Sequence, residues 1–364
     1  MRFIDLQTQY LEYKDEIDAQ INDVISNTSF IMGSKIEELE LLLADYVGIK
    51  HAIGCASGTD ALLLALMTYD LQPYDEIITT PFTFIATAEV ISFLKAKPVF
   101  VDIKEKSYNI DPNNIRSAIT PKTKGIIAVD IFGQCANYDE INSIAKENNL
   151  FVIEDAAQSF GAEYKGKRSC SLTDITCTSF FPAKPLGCFG DGGMVFTSSD
   201  KKAERLRSLR IHGKGDHQYD NIQIGINARL DTIQAAVLLA KFPHYEKELE
   251  LREQKAAYYT EKLKNYVITP HICKQNTSVY AQYSIRAKAR DKLQEHLKSK
   301  GIPTAVHYPK PLHLQTAFSF LGYKEGVFPI AEKVSNEIIS LPMHPFLTKE
   351  DQHKITKEII SFYS

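Results

Sequence analysis

Tryptophan is absent from this chain of 364 residues, and several other features are missing as well. The six cysteines form no Cys-x-x-Cys pair, which argues against a zinc site or a thioredoxin-like redox centre. The longest apolar run that we find, Ala61 to Met67, is far shorter than the roughly 20 residues of a membrane span. Lysine and arginine number 42 against 45 aspartates and glutamates, so no basic excess attracts nucleic acid. We therefore expect no metal, no membrane association and no nucleic-acid partner.

The amino-terminal stretch MRFIDLQTQYLEYKDEID is charged and amphipathic, and it has no apolar centre of the signal-peptide type. This predicts a cytoplasmic protein whose cysteines stay reduced. Hydrophobic residues make up 44% of the chain and charged residues 24%, a balance typical of globular proteins with a sizeable core. The length favours about two domains.

Strand-like and helical patterns alternate through the first two thirds of the chain. The strand-like runs, in order, are HAIGCAS, EIITT, KPVFVDI, GIIAVDIF and LFVIEDAA. Helical runs such as DALLLALMTYDL and DEINSIAKENN separate them. Because this alternation is typical of parallel strands joined by helical crossovers, we predict a large α/β domain with a mostly parallel sheet over residues 1–240. The nearly continuous apolar strands indicate that helices flank both faces of the sheet.

The pattern changes in the last third of the chain. The segment DTIQAAVLLAKFPHYEKELELREQKAAYYTEKLKN predicts one or two long helices, and VYAQYSIRA alternates as a strand does. Three further segments predict helices, and PTAVHYP predicts a short strand. The three helical segments are DKLQEHLKSKG, AEKVSNEIISL and KEDQHKITKEIISFYS. We therefore predict a small α+β domain over residues 241–364, with a boundary inside the long helical segment.

The segment TCTSFFPAKPLGCFGDGGMVFT places Lys184 between two strand-like runs. Most lysines are solvated surface charges, but Pro182, Pro185 and several apolar residues surround this one. A lysine in apolar surroundings has a lowered pKa and attacks carbonyl groups. Glycines follow closely and would let the backbone approach a ligand, although they do not form the G-x-G-x-x-G pattern of dinucleotide-binding folds.

The apolar strand FVIED ends in Glu154 and Asp155. In open α/β sheets the carboxyl ends of the strands face the ligand crevice, so an acid there can pair with a cationic ring nitrogen. Aspartate is also a frequent helix N-cap, and this stretch alone leaves the two roles open.

In the segment CASGTDAL, a strand is followed at once by an apolar helix. The free N–H groups at such a helix start bind phosphate. An ordinary capped helix begins with the same residues, and this pattern marks a helix cap more often than a phosphate site.

Together, these three segments supply a lysine amine, a carboxylate and a phosphate cradle. Pyridoxal 5'-phosphate (PLP) needs this combination, because its aldehyde bonds an amine, its ring nitrogen pairs with an acid and its phosphate takes backbone N–H groups. The residues therefore favour a PLP enzyme with Lys184 and Asp155 at its centre.

The chain resembles the DegT/StrS family of sugar aminotransferases, which have the aspartate aminotransferase fold, fold type I. The motifs that carry the resemblance are SGTDAL, PFTFIATAEV, AKPVFVDI, IEDAAQSFGAEYKGK, SFFPAKPLGCFGDGG, GINARLDTIQAA and HYPKPLH. They extend over nearly the whole chain and are most similar to the WbpE-like enzymes, which aminate a 3-keto UDP-N-acetylhexosamine derivative. The resemblance implies PLP as cofactor, L-glutamate as amino donor, a keto nucleotide-sugar as acceptor and a role in bacterial surface-glycan (lipopolysaccharide) biosynthesis.

The resemblance implies a role for each matching residue. Lys184 matches the lysine that bonds the cofactor aldehyde, and Asp155 matches the acid that pairs with the pyridine nitrogen. Gly58, Thr59 and Ser179 match phosphate-binding positions. This chain has lysine rather than the histidine that marks a dehydratase branch of the family, so the resemblance favours transamination.

Six further residues match family positions around the cofactor. Phe84 matches an aromatic ring that stacks on the cofactor, and Gln158 a residue near its phenolic oxygen. Asn227 matches a residue that reaches the phosphate of the neighbouring subunit, which implies a homodimer with shared active sites. The positions matched to the amino donor or the sugar nucleotide are Arg229, His307 and Tyr308. Without the resemblance, Asn227 suits a helix cap and Arg229 an ordinary surface charge. His307 and Tyr308 then suit a packed pair of side chains.

Alternative functions stay open at this point. One is amination at C4 of a 4-keto-6-deoxy UDP sugar, and another is amination at C3 of a dTDP-3-keto-6-deoxyhexose. An alternative of another class is a non-catalytic, cofactor-binding regulator, against which intact Lys184, Asp155 and Ser179 argue. A nicotinamide dehydrogenase is disfavoured because the dinucleotide fingerprint is missing.

Overall fold

A seven-stranded sheet forms the centre of the computed structural model, which describes residues 1–217 and 219–364. In the order β1-β9-β8-β5-β4-β2-β3, only β9 runs antiparallel to its neighbours. The strands of this sheet are β1 (His51–Cys55), β2 (Glu76–Thr79), β3 (Lys97–Phe100), β4 (Thr123–Val129), β5 (Phe151–Asp155), β8 (Ile175–Ser179) and β9 (Gly193–Thr197). The mostly parallel α/β sheet predicted from the sequence is therefore confirmed.

Four further strands form two separate pairs. They are β6 (Glu163–Tyr164) with β7 (Lys167–Arg168), and β10 (Tyr283–Arg286) with β11 (Ile338–Leu341). Thirteen α-helices occur in the described part of the chain. They are α1 (Leu6–Glu12), α2 (Lys14–Ser26), α3 (Ser34–Val47), α4 (Gly58–Met67), α5 (Ala86–Phe93), α6 (Pro112–Ala118), α7 (Tyr138–Glu147), α8 (Asp200–Leu209), α9 (Thr232–Lys241), α10 (Tyr245–Leu263), α11 (Arg290–Ser299), α12 (Pro329–Glu337) and α13 (Lys349–Tyr363).

Helices cover both faces of the large sheet, as the apolar strands predict. In β4, Ile127 packs on one face in a cluster with α4, α5 and α8, whereas Ile126 and Ala128 pack on the other face with α7. Successive strand residues point to opposite faces, so a strand that is buried on both sides needs apolar residues throughout. This burial leaves the carboxyl ends of the parallel strands as the place where polar side chains gather.

The carboxyl-terminal third contains the pair β10–β11, packed with α10, α11 and α13. Two predictions for this region are wrong in detail. The segment AEKVSNEIISL is not helical throughout, because α12 ends at Glu337 and the next four residues form β11, whose apolar side chains are buried against β10. The segment PTAVHYP is not a strand and makes only one bridge, between Ala305 and Ser340.

The predicted boundary between residues 240 and 241 falls one residue before the end of α9, and it stays a prediction. A short 3-10 turn, Phe242–His244, separates α9 from α10, and its Pro243 has no N–H to continue the hydrogen bonds of α9. No helix in the described residues is both long and apolar enough to cross a bilayer.

Candidate active site

Asp155 is buried at the carboxyl end of β5, in the centre of the sheet. Its Oδ2 accepts a 2.8 Å hydrogen bond from the hydroxyl of Thr87, and its Oδ1 accepts one of 3.3 Å from the N–H of Ala157. Burial raises the pKa of Asp155, and these two bonds and the charge of Lys184 oppose the rise. Asp155 caps none of the helices in the described residues, and each of its oxygens accepts one hydrogen bond and can accept another from a ligand.

Lys184 lies in the turn that follows β8 and faces the same space as Asp155. Its backbone N–H donates a 2.8 Å hydrogen bond to the carbonyl oxygen of Phe181, which folds the turn back on itself. Burial lowers the pKa of Lys184 to about 8, and the Asp155 carboxylate acts in the opposite direction. At pH 7 roughly a tenth of the Lys184 amine is therefore neutral and nucleophilic, far more than for an ordinary lysine.

The start of α4 approaches the end of β8 closely. Ser57 is the N-cap of α4 and accepts a 3.0 Å hydrogen bond from the N–H of Asp60. A Cβ atom at Gly58 would lie 2.6 Å from the Cβ of Ser179, so only glycine permits this approach. Gly58 and Thr59 thus present N–H groups of the first helical turn beside the Ser179 hydroxyl. Such a cradle fits a phosphate group.

Four other predicted residues surround the same space. The Oε1 of Gln158 accepts a 3.1 Å hydrogen bond from the N–H of Phe132, and its Nε2 lies 3.5 Å from the Tyr308 hydroxyl. The Tyr308 ring lies 6.3 Å from that of Phe84, which is 54% exposed and free to cover a ligand. Burial and the positive charge of Lys184 lower the pKa of His307, so this ring also belongs to the site.

Asn227 and Arg229 lie beside the start of α4 in the same chain. The N–H of Ala56 donates a 3.1 Å hydrogen bond to the carbonyl oxygen of Ala228, and Cys55 pairs with Arg229. The Asn227 side chain is exposed, and Arg229 is partly exposed. The role predicted for Asn227 at the phosphate of a neighbouring subunit stays a prediction.

Glu154, the neighbour of Asp155, points into the interior on the other side of β5. It accepts hydrogen bonds from the N–H groups of Cys170 and Leu172 and from the Thr176 hydroxyl. Burial raises its pKa, and so does the charge of Asp130 nearby. Because the Glu154 oxygens already accept hydrogen bonds from the protein, we infer that Glu154 stabilises the sheet edge and does not bind a ligand.

Sequence reasoning missed Thr87 and Lys241. Thr87 was part of the motif PFTFIATAEV, but nothing local marks it as the partner of Asp155. Lys241, at the end of α9, is 3% exposed and donates a 2.7 Å hydrogen bond to the carbonyl oxygen of Gly187 in the Lys184 turn. The sequence feature that could have indicated a buried role for Lys241 is its place at the end of a mostly apolar helical run.

The site fits PLP by the chemistry of its groups. A partly buried amine, a buried carboxyl and a phosphate cradle that requires Gly58 converge at the edge where the six parallel strands end. Lys184 would hold the aldehyde, Asp155 the ring nitrogen, and Gly58, Thr59 and Ser179 the phosphate.

Comparisons with known proteins agree with this chemistry. The family model described as the DegT/DnrJ/EryC1/StrS aminotransferase family matches residues 12–360. The chain belongs to this family and is an aminotransferase, which confirms the resemblance seen in the sequence.

Three curated relatives are similar over most of their length. The UDP-2-acetamido-2-deoxy-3-oxo-D-glucuronate aminotransferase of Pseudomonas aeruginosa is 50% identical and is covered over 96% of its length by 95% of this chain. The pleiotropic regulatory protein of Geobacillus stearothermophilus is 46% identical, with 99% of this chain and 98% of that protein covered. The dTDP-3-amino-3,6-dideoxy-alpha-D-galactopyranose transaminase of Aneurinibacillus thermoaerophilus is 38% identical, with 98% of each covered.

Solved structures show the same fold. A DegT DnrJ EryC1 StrS aminotransferase from Brucella abortus superposes with a TM-score of 0.97 at 44% identity, with both chains covered completely. NtdA from Bacillus subtilis, solved with bound cofactor PMP, superposes with a TM-score of 0.90 at 27% identity, covering 99% of this chain and 82% of that one. PMP is the amino form of PLP, so the fold holds this cofactor in a relative.

Proposed function

We propose that the protein is a PLP-dependent aminotransferase that transfers an amino group from L-glutamate to the C3 ketone of a UDP-linked N-acetylhexosamine derivative, for bacterial surface-glycan biosynthesis. The observation that carries the proposal is the meeting of Lys184, with its lowered pKa, and the buried Asp155 at the carboxyl edge of the sheet.

When bound, PLP supplies an aldehyde that bonds amines and a ring that takes up electrons from the carbon losing its proton. Asp155 contributes by holding a proton on the ring nitrogen through an ion pair. Thr87 and the N–H of Ala157 favour the charged form of the Asp155 carboxyl, because both donate hydrogen bonds to its oxygens.

Lys184 serves first as the anchor of the cofactor and then as a general base. Its amine would take the α-proton from glutamate and deliver it to the carbon of the former cofactor aldehyde, and it would move a proton in the reverse direction when the sugar is aminated. The lowered pKa of Lys184 suits both tasks, because the neutral amine is accessible near neutral pH.

Two relatives bear on the substrate. The Pseudomonas relative is named for a 3-oxo UDP sugar, which supports C3 and UDP. The Aneurinibacillus relative is named for a dTDP-linked 3-amino sugar, so a dTDP-3-keto-6-deoxyhexose is the first alternative. Amination at C4 of a 4-keto-6-deoxy UDP sugar is the second.

The name of the Geobacillus relative, a pleiotropic regulatory protein, is the observation that favours the non-catalytic regulator considered from the sequence. The intact pair Lys184 and Asp155 favours the enzyme, since a protein that only binds the cofactor needs no general base of lowered pKa.

We also propose a homodimer in which each subunit completes the active site of the other. Exposed apolar side chains lie near Asn227, among them Ile222 and Ile224, which are 67% and 88% exposed. Ile31 and Met32 line one groove together with Ile224 and Arg229. Apolar surface of this kind is typical of a contact between subunits.

Mixing of inactive variants tests the shared site. Lys184→Ala and Asn227→Ala subunits should regain activity after exchange, because one of the two sites in a mixed dimer then carries neither change. A mixture of Lys184→Ala and Asp155→Asn is the control, since each mixed site keeps one change and stays inactive. No recovery in the first mixture would contradict the shared site.

Turnover with a panel of keto nucleotide-sugars tests the substrate. We expect formation of 2-oxoglutarate from glutamate with a 3-keto UDP-N-acetylhexosamine, and far less with 4-keto UDP or 3-keto dTDP sugars. Turnover only with one of the latter would replace the proposed substrate, and turnover with none would favour the regulator.

A further inference from the structure

Three side chains form a hydrogen-bonded chain from the core of the carboxyl-terminal sheet to the active site. The hydroxyl groups of Ser284 and Ser340 lie 2.8 Å apart, and the Ser340 oxygen lies 3.0 Å from Nδ1 of His307. The two serines are 1% and 0% exposed. Hydroxyl groups buried this deeply have little access to bulk water, so their bonds to each other and to His307 are the main determinants of their orientation.

The backbone holds these three residues in register. Ser284 in β10 and Ser340 in β11 are direct cross-strand partners. Ser340 also exchanges backbone hydrogen bonds of 2.7 and 3.2 Å with Ala305, two residues before His307. The position of His307 relative to Ser340 is therefore fixed by the sheet and not by the side chains alone.

The number of hydrogen-bond donors determines which way the hydrogen bonds run from Ser284 through Ser340 to His307. Each serine hydroxyl has one hydrogen to donate, and a neutral histidine has one N–H and one acceptor nitrogen. If Ser284 donates to Ser340 and Ser340 donates to Nδ1, both hydroxyl hydrogens are bonded. The opposite direction leaves the Ser284 hydrogen without an acceptor among the described residues, and an unbonded buried donor is destabilising.

The one side-chain hydrogen bond of His307 among the residues that the structure describes is made by Nδ1, which leaves Nε2 open to a ligand, and the ring lies near Lys184. If Nδ1 accepts from Ser340, Nε2 carries the proton and is a donor. Burial and the charge of Lys184 lower the pKa of His307, so the ring stays neutral and has one defined tautomer at neutral pH.

We propose that Ser340 and Ser284 are positioning residues that fix His307 as the Nε2–H tautomer, so that His307 presents a hydrogen-bond donor to an oxygen of the substrate bound at Lys184. An oxygen acceptor, such as a ketone oxygen or a sugar hydroxyl, would be recognised by this donor. The substrate part of the proposal rests on the proposed function, whereas the tautomer does not.

Nuclear magnetic resonance of the enzyme labelled with 15N in histidine tests the tautomer. The spectrum is recorded on the PLP-loaded enzyme without sugar, and the His307 signals are assigned by their loss in His307→Gln. We expect a protonated Nε2 and an acceptor-type Nδ1. A predominantly protonated Nδ1 would overturn the proposal.

Two variants and a matched control test the positioning. Ser340→Ala should yield a mixture of tautomers and lower kcat/KM for the keto sugar about tenfold, with unchanged cofactor content. Ser284→Ala should also mix the tautomers and lower kcat/KM, but by a smaller amount than Ser340→Ala. Ser335→Ala is the control, because the buried Ser335 hydroxyl in α12 has no hydrogen-bond partner in the described part of the chain, and this change should leave the tautomer and kcat/KM unchanged.

The outcomes separate the two parts of the proposal. An unchanged tautomer in Ser340→Ala, with the fold intact by thermal unfolding, would overturn the positioning role. A changed tautomer with unchanged kcat/KM would overturn the role of His307 as a substrate donor. If no keto sugar is turned over, the proposed function fails, and the wild-type spectrum still decides the tautomer.

Discussion

The ammonium group of Lys241 donates a 2.7 Å hydrogen bond to the carbonyl oxygen of Gly187, three residues beyond Lys184. Lys241 is buried at the end of α9, and its Nζ lies 4.6 Å from the centre of the Phe189 ring. Burial lowers the pKa of Lys241 to about 8. A buried ammonium is costly to desolvate, so its bond to Gly187 indicates that α9 holds the turn that carries Lys184.

We predict that Lys241→Met weakens the retention of PLP about 10- to 100-fold, because a charge-assisted hydrogen bond of roughly 1.5–3 kcal/mol no longer holds the turn. Absorbance of the bound cofactor after dilution measures its release, and hydrogen exchange of the turn reports its mobility. Val237→Ala is the control, since Val237 is buried in the same helix but packs with Ile17 and Ala240. Equal retention in the two variants would contradict a role for Lys241 in holding the turn.

We predict that the apoprotein captures PLP faster as the pH rises through about 8, because the neutral Lys184 amine is the nucleophile and burial lowers its pKa from 10.5 to about 8. The Asp155 charge raises this pKa, so Asp155→Asn should move the midpoint to lower pH. Stopped-flow absorbance over a pH series measures both midpoints. A midpoint near that of an ordinary lysine in the wild type, or a shift to higher pH in Asp155→Asn, would refute the assigned environment of Lys184.

Asp155→Asn should still bind PLP but convert it slowly with glutamate, since a neutral amide cannot keep the ring nitrogen protonated by an ion pair. Charge stabilisation in the transition state of about 3–5 kcal/mol corresponds to a fall of roughly 10²- to 10⁴-fold in the single-turnover rate. Glu154→Gln is the matched control, because this adjacent buried acid bonds Cys170 and Leu172 instead of facing the site. It should lower stability and leave the single-turnover rate close to that of the wild type.

If Asp155→Asn reacts at the wild-type rate with full cofactor occupancy, Asp155 supports only the strand end. A loss of rate in Glu154→Gln as large as that in Asp155→Asn would show that the single-turnover experiment measures general damage to this edge of the sheet.

The candidate site was predicted in part from local pattern and in part only from the family resemblance. Asp155 ends an apolar strand and Gly58 begins a helix shortly after another, whereas Ser179 was assigned by the resemblance. Parallel strands end at one edge of a sheet, so these residues had to meet if the alternating pattern was correct.

Other features could not be predicted because they depend on pairs that are distant in the chain. Lys241 and Gly187 are separated by 54 positions, and His307 and Ser340 by 33. The strand β11 was missed for a related reason. Its residues IISL continue the apolar pattern of α12, and pairing with β10 is what makes them extended.

Borohydride reduction of the PLP-loaded protein, followed by peptide mapping with mass spectrometry, tests most directly whether Lys184 holds the cofactor. The account predicts a reduced cofactor adduct on the peptide that contains Lys184, and no adduct in Lys184→Ala. Lys241 is the internal comparison, because its pKa is also lowered to about 8 although it bonds the backbone. An adduct on Lys241 or on any other lysine of the wild-type protein would contradict the account.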